Sequence, residues 1–103
     1  MARVLIAFGS NIAPEVNVPR ALDLLAEHVI VTKVSTVYRT QPLRRPEQRP
    51  FLNGALLVHT DLGPRTLKFE VLRRIEERLG RVRTPDRYAA RTIDLDIALY
   101  ADL

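Results

Sequence analysis

Polar and apolar residues alternate along Ile93–Tyr100, near the end of the 103-residue chain. An alternation of period two is typical of a strand that has one covered face and one open face. The covered face is predicted to carry four aliphatic residues: Ile93, Leu95, Ile97 and Leu99. The other face is predicted to carry Asp94, Asp96, Ala98 and Tyr100. The chain must therefore build a sheet with helices on one side, and the two aspartates project from the helix-free side.

The other apolar patterns predict the order strand, helix, strand, strand, helix, strand. The strands are predicted at Val4–Phe8, Val29–Tyr38, Phe51–Thr60 and Ile93–Tyr100. A cap at Asn17 with Pro19 in the first turn predicts the start of the first helix, and the second helix runs from Pro64 to a stop at Gly80. This order predicts an α+β, ferredoxin-like βαββαβ fold in one domain over residues 1–103. Its four-stranded antiparallel sheet has the order 4-1-3-2, with two helices on one face.

Composition narrows the class of protein. With 47% hydrophobic and 27% charged residues, the chain matches a globular domain rather than a disordered or collagen-like one. The absence of cysteine excludes disulfides and thiolate metal sites. The apolar run Val4–Phe8 is too short for a signal peptide or a membrane span, so we expect a cytoplasmic protein.

Of the sixteen basic residues only Lys33 and Lys68 are lysines, and an arginine-rich surface suits bidentate recognition of phosphate or carboxylate.

The triplet Asp94-Leu95-Asp96 is the most informative motif. Two carboxylates at this spacing lie on one side of a strand, roughly 6–7 Å apart at the backbone. Their side chains can converge on one hard cation. The alternative is a solvated polar strand face, which the triplet alone favours.

Seven arginines lie at the end of the second helix and in the loop before the last strand: Arg73, Arg74, Arg78, Arg81, Arg83, Arg87 and Arg91. They could form a solvated charged face, because acidic residues are interspersed among them. Arginines on a loop that leads to two carboxylates are also typical of a site for polyphosphate and magnesium. The two features together favour phosphate binding.

The open face gains further polar and aromatic groups from the third strand. Its alternation places Phe51 and Asn53 on the same side as the aspartates. The amide of Asn53 offers donors and an acceptor to the mixed edge of a heterocycle, or it could instead hold the proline-rich loop Thr40–Pro50. A loop of that length in so small a domain is typically functional or disordered.

Two other polar features give little evidence of a functional site. Gly9-Ser10-Asn11 by itself indicates a simple turn. His28 and His59 have no partner at ligand spacing, so both are predicted to be non-catalytic.

Five stretches, in order along the chain, resemble the 6-hydroxymethyl-7,8-dihydropterin pyrophosphokinase family. They are AFGSN (Ala7–Asn11), S-x-x-YRT-x-PL (Ser35–Leu43), FLN (Phe51–Asn53), IEERLGRVR (Ile75–Arg83) and RTIDLDIALY (Arg91–Tyr100). The family transfers pyrophosphate from ATP to the hydroxymethyl group of the pterin in folate biosynthesis and releases AMP. The resemblance implies the same Mg²⁺-dependent activity here, with ATP as co-substrate.

The resemblance also implies roles for individual residues. Asp94 and Asp96 would bind two Mg²⁺ ions at the ATP phosphates, while Arg81 and Arg91 would stabilise charge on the transferring group. The residues that would contact ATP are Glu76, Arg83, Arg87, Arg91 and Ile97. Those that would contact the pterin are Thr40, Pro42, Leu43, Phe51, Asn53 and Tyr88. The loops Thr40–Pro50 and Val82–Ala90 would close over the site.

The chain departs from the family pattern at several points. It has Ala89-Ala90 in place of Gly-Pro, Tyr88 in place of tryptophan and Gln41 where proline is frequent, and it stops at Leu103, before the family's C-terminal extension. Two alternatives to the enzyme follow. One is a weakly active or inactive paralogue that binds pterin or nucleotide. The other is a basic sheet platform for single-stranded RNA, which Phe8 and Phe51 would favour and the acidic pair, Asp94 and Asp96, would oppose.

The expected partners are small molecules, without nucleic acid or membrane, and the sequence carries no signal for the oligomeric state.

Overall fold

The computed structural model describes residues 1–101, so the last two residues of the predicted domain lie outside the described residues. The strands are β1 (Ala2–Ser10), β2 (Ile30–Val34), β3 (Tyr38–Thr40), β4 (Phe51–Thr60) and β5 (Asp94–Ala101). The first helix is α1 (Pro14–Ala26). The second, α2, joins an α-helical turn (Pro64–Thr66), a π-helical segment (Leu67–Leu72) and an α-helical segment (Arg73–Arg78). Within residues 1–101, no helix combines the length and the apolar character that a membrane span requires.

The strands form one antiparallel sheet in the order β2-β4-β1-β5, with β3 also paired to β4. The α+β class and the predicted order 4-1-3-2 are confirmed, because these four strands are the second, third, first and fourth of the prediction. The single predicted strand Val29–Tyr38 is wrong in part, since it is divided into β2 and β3. The division follows Ser35, whose hydroxyl accepts the Ala55 N–H at 2.8 Å in place of a backbone carbonyl.

Helix α1 begins earlier than predicted. Pro14 occupies its first position, for which the fixed φ of proline is suited, directly after Ala13 at φ 42°. Pro19 lies inside the helix instead of in its first turn. Asn17 is not the cap: it is buried within the helix, and its Nδ2 donates to the Ile12 carbonyl at 2.6 Å.

The hydrophobic core lies between one face of the sheet and both helices. Its sheet side includes Val4, Ile6, Phe8, Leu56 and Val58. Its helix side includes Val18, Ala21, Leu25, Leu67, Val71, Leu72, Ile75 and Leu79. Helix α2 ends as predicted, with Gly80 in the left-handed region at φ 86°. Within residues 1–101 the opposite face of the sheet carries no helix, and the predicted site lies on that face.

Strand β5 follows the predicted alternation only as far as Ile97. The register with β1 shifts there, so Ala98 is the extra residue of a β-bulge. The two sides of the strand are exchanged beyond it: Leu99 is 63% exposed, and Tyr100 packs against the core with its hydroxyl donating to the Leu62 carbonyl at 2.9 Å. The predicted sides of Leu99 and Tyr100 are therefore wrong, because one inserted residue reverses a period-two pattern. The two aspartates precede the bulge and keep their predicted face.

Candidate active site

The end of β1 brings the polar residues of its neighbouring strands together on the open face. Gly9 is paired with Asn53 on β4 and with Asp94 on β5, and Ala7 is paired with Asp96. Small residues on the central strand thus separate the amide from the carboxylates without covering them. The amide and both carboxylates line one cavity, as the alternation predicted.

This cavity has a volume of about 540 Å³ and lies between the ends of β1, β4 and β5 and the loops at 41–50 and 81–93. A volume of this size suits a small heterocyclic ligand. Its lining includes the whole set for which the resemblance implied pterin contacts: Thr40, Pro42, Leu43, Phe51, Asn53 and Tyr88. It also includes Arg87, Arg91, Asp94 and Asp96. The cavity does not include the other four predicted site residues, namely Glu76, Arg81, Arg83 and Ile97.

Those four residues line smaller depressions beside the cavity. Glu76 and Arg83 line one of about 160 Å³ with Lys68 and Arg73, and Ile97 lines another of about 440 Å³. Arg81 lines a third depression, which runs along the loop that follows α2. Asp96 lines the main cavity and the first two depressions, so its carboxylate lies where an aromatic, amide-lined space meets a basic one.

A buried carboxylate connects α2 to β5. Glu76 is 2% exposed, and its Oε2 accepts hydrogen bonds from Arg81 Nη1 at 2.6 Å and from the Leu95 backbone N–H at 2.8 Å. Its Oε1 accepts from Arg83 Nη2 at 2.5 Å. The resemblance implied a contact of Glu76 with ATP. In the structure both of its oxygens are bonded to protein groups, and it fixes the arginine beside the acidic pair.

Asp94 is held between two arginines. Its Oδ1 accepts from Arg81 Nη1 at 2.7 Å, and its Oδ2 accepts from Arg91 Nη1 at 3.0 Å. Arg91 Nη2 in turn donates to the Arg87 carbonyl at 2.7 Å. These contacts place two guanidinium groups at the acidic pair: Arg91 lines the main cavity, whereas the Arg81 side chain is 10% exposed and lies beside it.

Asp96 lacks such partners: within residues 1–101, no arginine or lysine forms an ion pair with it. Partial burial raises the pKa of Asp96, and the neighbouring Asp94 carboxylate raises it further. A hard divalent cation would relieve this repulsion, and Mg²⁺ is commonly bound by one or two carboxylates plus phosphate oxygens. The described residues contain no group of three His, Cys, Asp or Glu that could hold a metal alone. The donor set therefore fits a cation that takes its remaining ligands from phosphate and water.

We expect Asp96→Asn to raise the free energy of unfolding near pH 7 in the absence of divalent cations. The pKa of Asp96 is higher in the folded than in the unfolded state, so ionisation of this carboxyl group disfavours folding. Its contribution to the free energy of unfolding is full below the unfolded-state pKa and is lost as the pH rises through the folded-state pKa. Asparagine resembles the neutral acid, so the variant avoids this loss near pH 7. Its gain in the free energy of unfolding over the parent should vanish near pH 3, where Asp96 is itself neutral. Urea midpoints with a chelator at both pH values measure it.

Asp86→Asn is the matched control with the opposite sign. The pKa of Asp86 is lowered by hydrogen bonds from the Tyr88 backbone N–H and from Arg45, so its loss should destabilise the fold near pH 7. An Asp96→Asn midpoint below that of the parent near pH 7 would contradict the assignment.

Asn11 is the polar residue that sequence reasoning missed. Instead of forming a simple turn, β1 continues through Ser10, and Asn11 is 3% exposed. Its Oδ1 accepts the Arg91 backbone N–H at 2.7 Å, and its Nδ2 donates to Gln48 Oε1 at 3.1 Å and to the Arg49 carbonyl at 3.3 Å. One side chain thus joins the strand to both loops that line the cavity. The only local signal is an amide directly after an apolar strand.

The remaining predicted residues are placed as follows. Asn53 Nδ2 donates to Thr40 Oγ1 at 2.5 Å, so the amide holds the start of the loop while still lining the cavity. Of the two aromatic residues that would favour an RNA platform, Phe8 is 4% exposed in the core, whereas Phe51 lines the cavity on the open face beside the opposing acidic pair. His28 and His59 line a separate depression at the other end of the sheet.

A family model described as 7,8-dihydro-6-hydroxymethylpterin-pyrophosphokinase matches residues 5–103. A 2-amino-4-hydroxy-6-hydroxymethyldihydropteridine pyrophosphokinase of Bacillus subtilis is 45% identical over 98 residues, which are 92% of this chain and 58% of that protein. The protein of the same name from Pseudomonas aeruginosa is 40% identical over 97% of this chain and 62% of its own length. A folate synthesis bifunctional protein of Arabidopsis thaliana is 40% identical over 94% of this chain and 20% of its own length. The chain spans less than two thirds of each of these relatives.

Proposed function

We propose that this chain, which belongs to the 7,8-dihydro-6-hydroxymethylpterin-pyrophosphokinase family, transfers pyrophosphate from ATP to 6-hydroxymethyl-7,8-dihydropterin and releases AMP. Both substrates are small molecules, and the product is used in folate synthesis. The observation that carries the proposal is the position of Asp96, at the junction of the amide-lined cavity and the basic depressions. A reaction that joins a heterocyclic alcohol to a polyphosphate needs such a junction, because its two substrates must meet there.

The main cavity supplies the pterin site. Phe51 and Tyr88 provide two aromatic side chains for stacking on a flat ring, and Asn53 provides a side-chain amide for its polar edge. Pro42 and Leu43 add apolar surface from the loop. This combination of an aromatic lining and few polar groups is typical of a site that orients one planar ligand.

The acidic pair and the arginines supply the phosphate site. Asp94 and Asp96 would hold Mg²⁺, which when bound neutralises phosphate charge and polarises phosphoryl oxygens. Arg81 and Arg91 contact Asp94 and present their remaining donors to the transferring group. Arg83 and Arg87 extend the positive charge toward the nucleotide, and Ile97 offers an apolar surface beside it.

In the proposed reaction the hydroxymethyl oxygen attacks the β-phosphorus of ATP. A bond forms between this oxygen and the β-phosphorus, the hydroxyl proton passes to solvent, and the bond from the β-phosphorus to the oxygen that remains on AMP breaks. Phosphoryl transfers of this kind depend mainly on positioning and on charge stabilisation. Both are provided here by side chains that the protein itself holds in place, above all Arg81 through its contact with buried Glu76.

The experiment that tests the proposal is phosphorus NMR of the chain incubated with ATP, Mg²⁺ and the hydroxymethyl dihydropterin. We expect AMP and a pterin diphosphate to appear in equal amounts, with no AMP when the pterin is omitted. Binding of both substrates without products would favour the paralogue that binds but does not turn over. Formation of ADP, or no binding of either substrate, would refute the proposal.

We expect Gly9→Ala to weaken binding of 6-hydroxymethylpterin about tenfold, the effect of losing roughly 1.4 kcal/mol of hydrogen bonding. A Cβ at this position would lie 2.7 Å from Asn53 Oδ1 and 3.8 Å from Phe51 Cδ1, so the amide must move. Quenching of pterin fluorescence measures the change. Gly63→Ala is the matched control, since a Cβ there meets nothing within 4 Å. Equal affinities of the two variants would contradict a role of Asn53 in pterin binding.

A further inference from the structure

The two loops that line the cavity contact each other through side chains that the proposed chemistry does not use. Arg45 Nη2 forms an ion pair with Asp86 Oδ2 at 2.7 Å, and Gln48 Nε2 donates to the Tyr88 carbonyl at 3.1 Å. Both contacts join residues about forty positions apart in sequence. Loop 41–50 and the segment around Tyr88 are therefore fixed to each other beside the cavity.

Tyr88 lies at the centre of these contacts. Its backbone N–H donates to Asp86 Oδ1 at 2.9 Å, so the two oxygens of Asp86 are divided between Tyr88 and Arg45. The guanidinium carbons of Arg44 and Arg45 lie 5.6 Å and 6.0 Å from the centroid of the Tyr88 ring, within the range of cation–π attraction. The guanidinium carbon of Arg87 also lies 6.0 Å from this centroid, so one carboxylate fixes the backbone of the tyrosine and three arginines surround its ring.

We propose that Asp86 and Arg45 are positioning residues that set the affinity for the pterin by fixing the Tyr88 ring against the cavity. The inference rests on the proposed function, because the ligand that the ring contacts is the pterin. Neither Asp86 nor Arg45 lines the main cavity, whereas Tyr88 does, so their effect on the ligand passes through Tyr88.

The physical reason is preorganisation. A ring that is already fixed in the free protein loses little freedom when the ligand stacks on it, and this lowers the cost of binding. The hydrogen bonds from Tyr88 and Arg45 also lower the pKa of Asp86, so both contacts favour its ionised form. The side chains of Arg45 and Asp86 are 35% and 41% exposed, so water and salt partly screen this ion pair. Its contribution to the affinity for the pterin is therefore small.

The test measures 6-hydroxymethylpterin affinity by fluorescence, with and without a non-hydrolysable ATP analogue and Mg²⁺. We expect Arg45→Ala to raise the Kd about fivefold, the upper range for a partly exposed ion pair, and Arg45→Lys to restore part of the loss. The double variant Arg45→Ala with Asp86→Asn should lose less affinity than the two single losses added together, because the two residues share one ion pair. Arg74→Ala is the matched control, since it breaks a more exposed ion pair, with Glu70, away from the cavity.

The salt dependence of pterin binding distinguishes a positioning role of Arg45 from a general loss of stability. The pterin is uncharged, so raising the salt from about 0.05 to 0.5 M without nucleotide should weaken its binding to the parent through the ion pair. Arg45→Ala should respond less, since only the guanidinium groups of Arg44 and Arg87 remain near the ring. A parent that binds pterin while Arg45→Ala and Asp86→Asn bind it equally well would overturn this inference alone. A parent that binds no pterin under either condition would overturn the proposed function and this inference with it.

Discussion

Replacing Asp96 by alanine is expected to lower the rate of AMP release at least a hundredfold. A loss of this size corresponds to about 2.7 kcal/mol of transition-state stabilisation, the scale expected when a ligand of a catalytic cation is removed. The loss should come from chemistry rather than from unfolding, because no ion pair within residues 1–101 depends on Asp96 and burial raises its pKa. The variant should remain folded and should still bind the pterin.

The measurement is the initial rate of AMP formation with both substrates and Mg²⁺ at saturation, alongside a urea titration of the same preparations. Asp23→Ala is the matched control, because Asp23 is an exposed aspartate on α1, on the covered side of the sheet. A tenfold loss or less for Asp96→Ala would contradict the proposal that this carboxylate holds a cation in the reaction.

Glu76→Ala is expected to lower the free energy of unfolding by about 3 kcal/mol, the effect of removing one partner from a buried ion pair. Three donors lose their acceptor at once: the guanidinium groups of Arg81 and Arg83 and the backbone N–H of Leu95. Arg81 is only 10% exposed at its side chain, so water replaces the lost carboxylate poorly. For a domain of this size the loss is a large fraction of the total stability.

Urea unfolding followed by circular dichroism measures this change. Glu77→Ala is the matched control, since the next residue on the helix is exposed and makes no ion pair within the described chain. Glu76→Gln should lie between the parent and alanine, because an amide oxygen at the Oε2 position can still accept from Arg81 and from the Leu95 N–H, and only the bond from Arg83 is lost. A Glu76→Ala midpoint equal to that of the Glu77→Ala control would contradict the structural role of the buried carboxylate.

Much of the fold could be predicted because periodicity determines which side of each element is covered. The sheet order and the open face followed from the order of apolar patterns and from the alternation around Asp94 and Asp96. The bulge at Ala98 could not be predicted, since a single inserted residue leaves no mark in the local pattern. The break after Ser35 depends on a hydroxyl that accepts a hydrogen bond from another strand. The start of α1 depends on Pro14 rather than on the predicted cap at Asn17.

The candidate site was predicted where it depends on strand faces and missed where it depends on long-range hydrogen bonds. Phe51, Asn53 and the acidic pair line one cavity because of period two. The contact of Asn11 with Arg91 joins residues 80 positions apart, and that of Glu76 with Leu95 joins residues 19 apart. Such contacts form only after the sheet is assembled, so no local spacing indicates them.

Paramagnetic broadening by Mn²⁺, added with a non-hydrolysable ATP analogue to the ¹⁵N-labelled chain, locates the proposed phosphate site most directly. If the acidic pair on the uncovered side of the sheet receives the nucleotide, the amide signals of Asp94 to Ile97 and of Arg81 disappear first, while those of His28 and His59 stay sharp. Broadening centred on the two histidines, or spread evenly over the chain, would contradict the account.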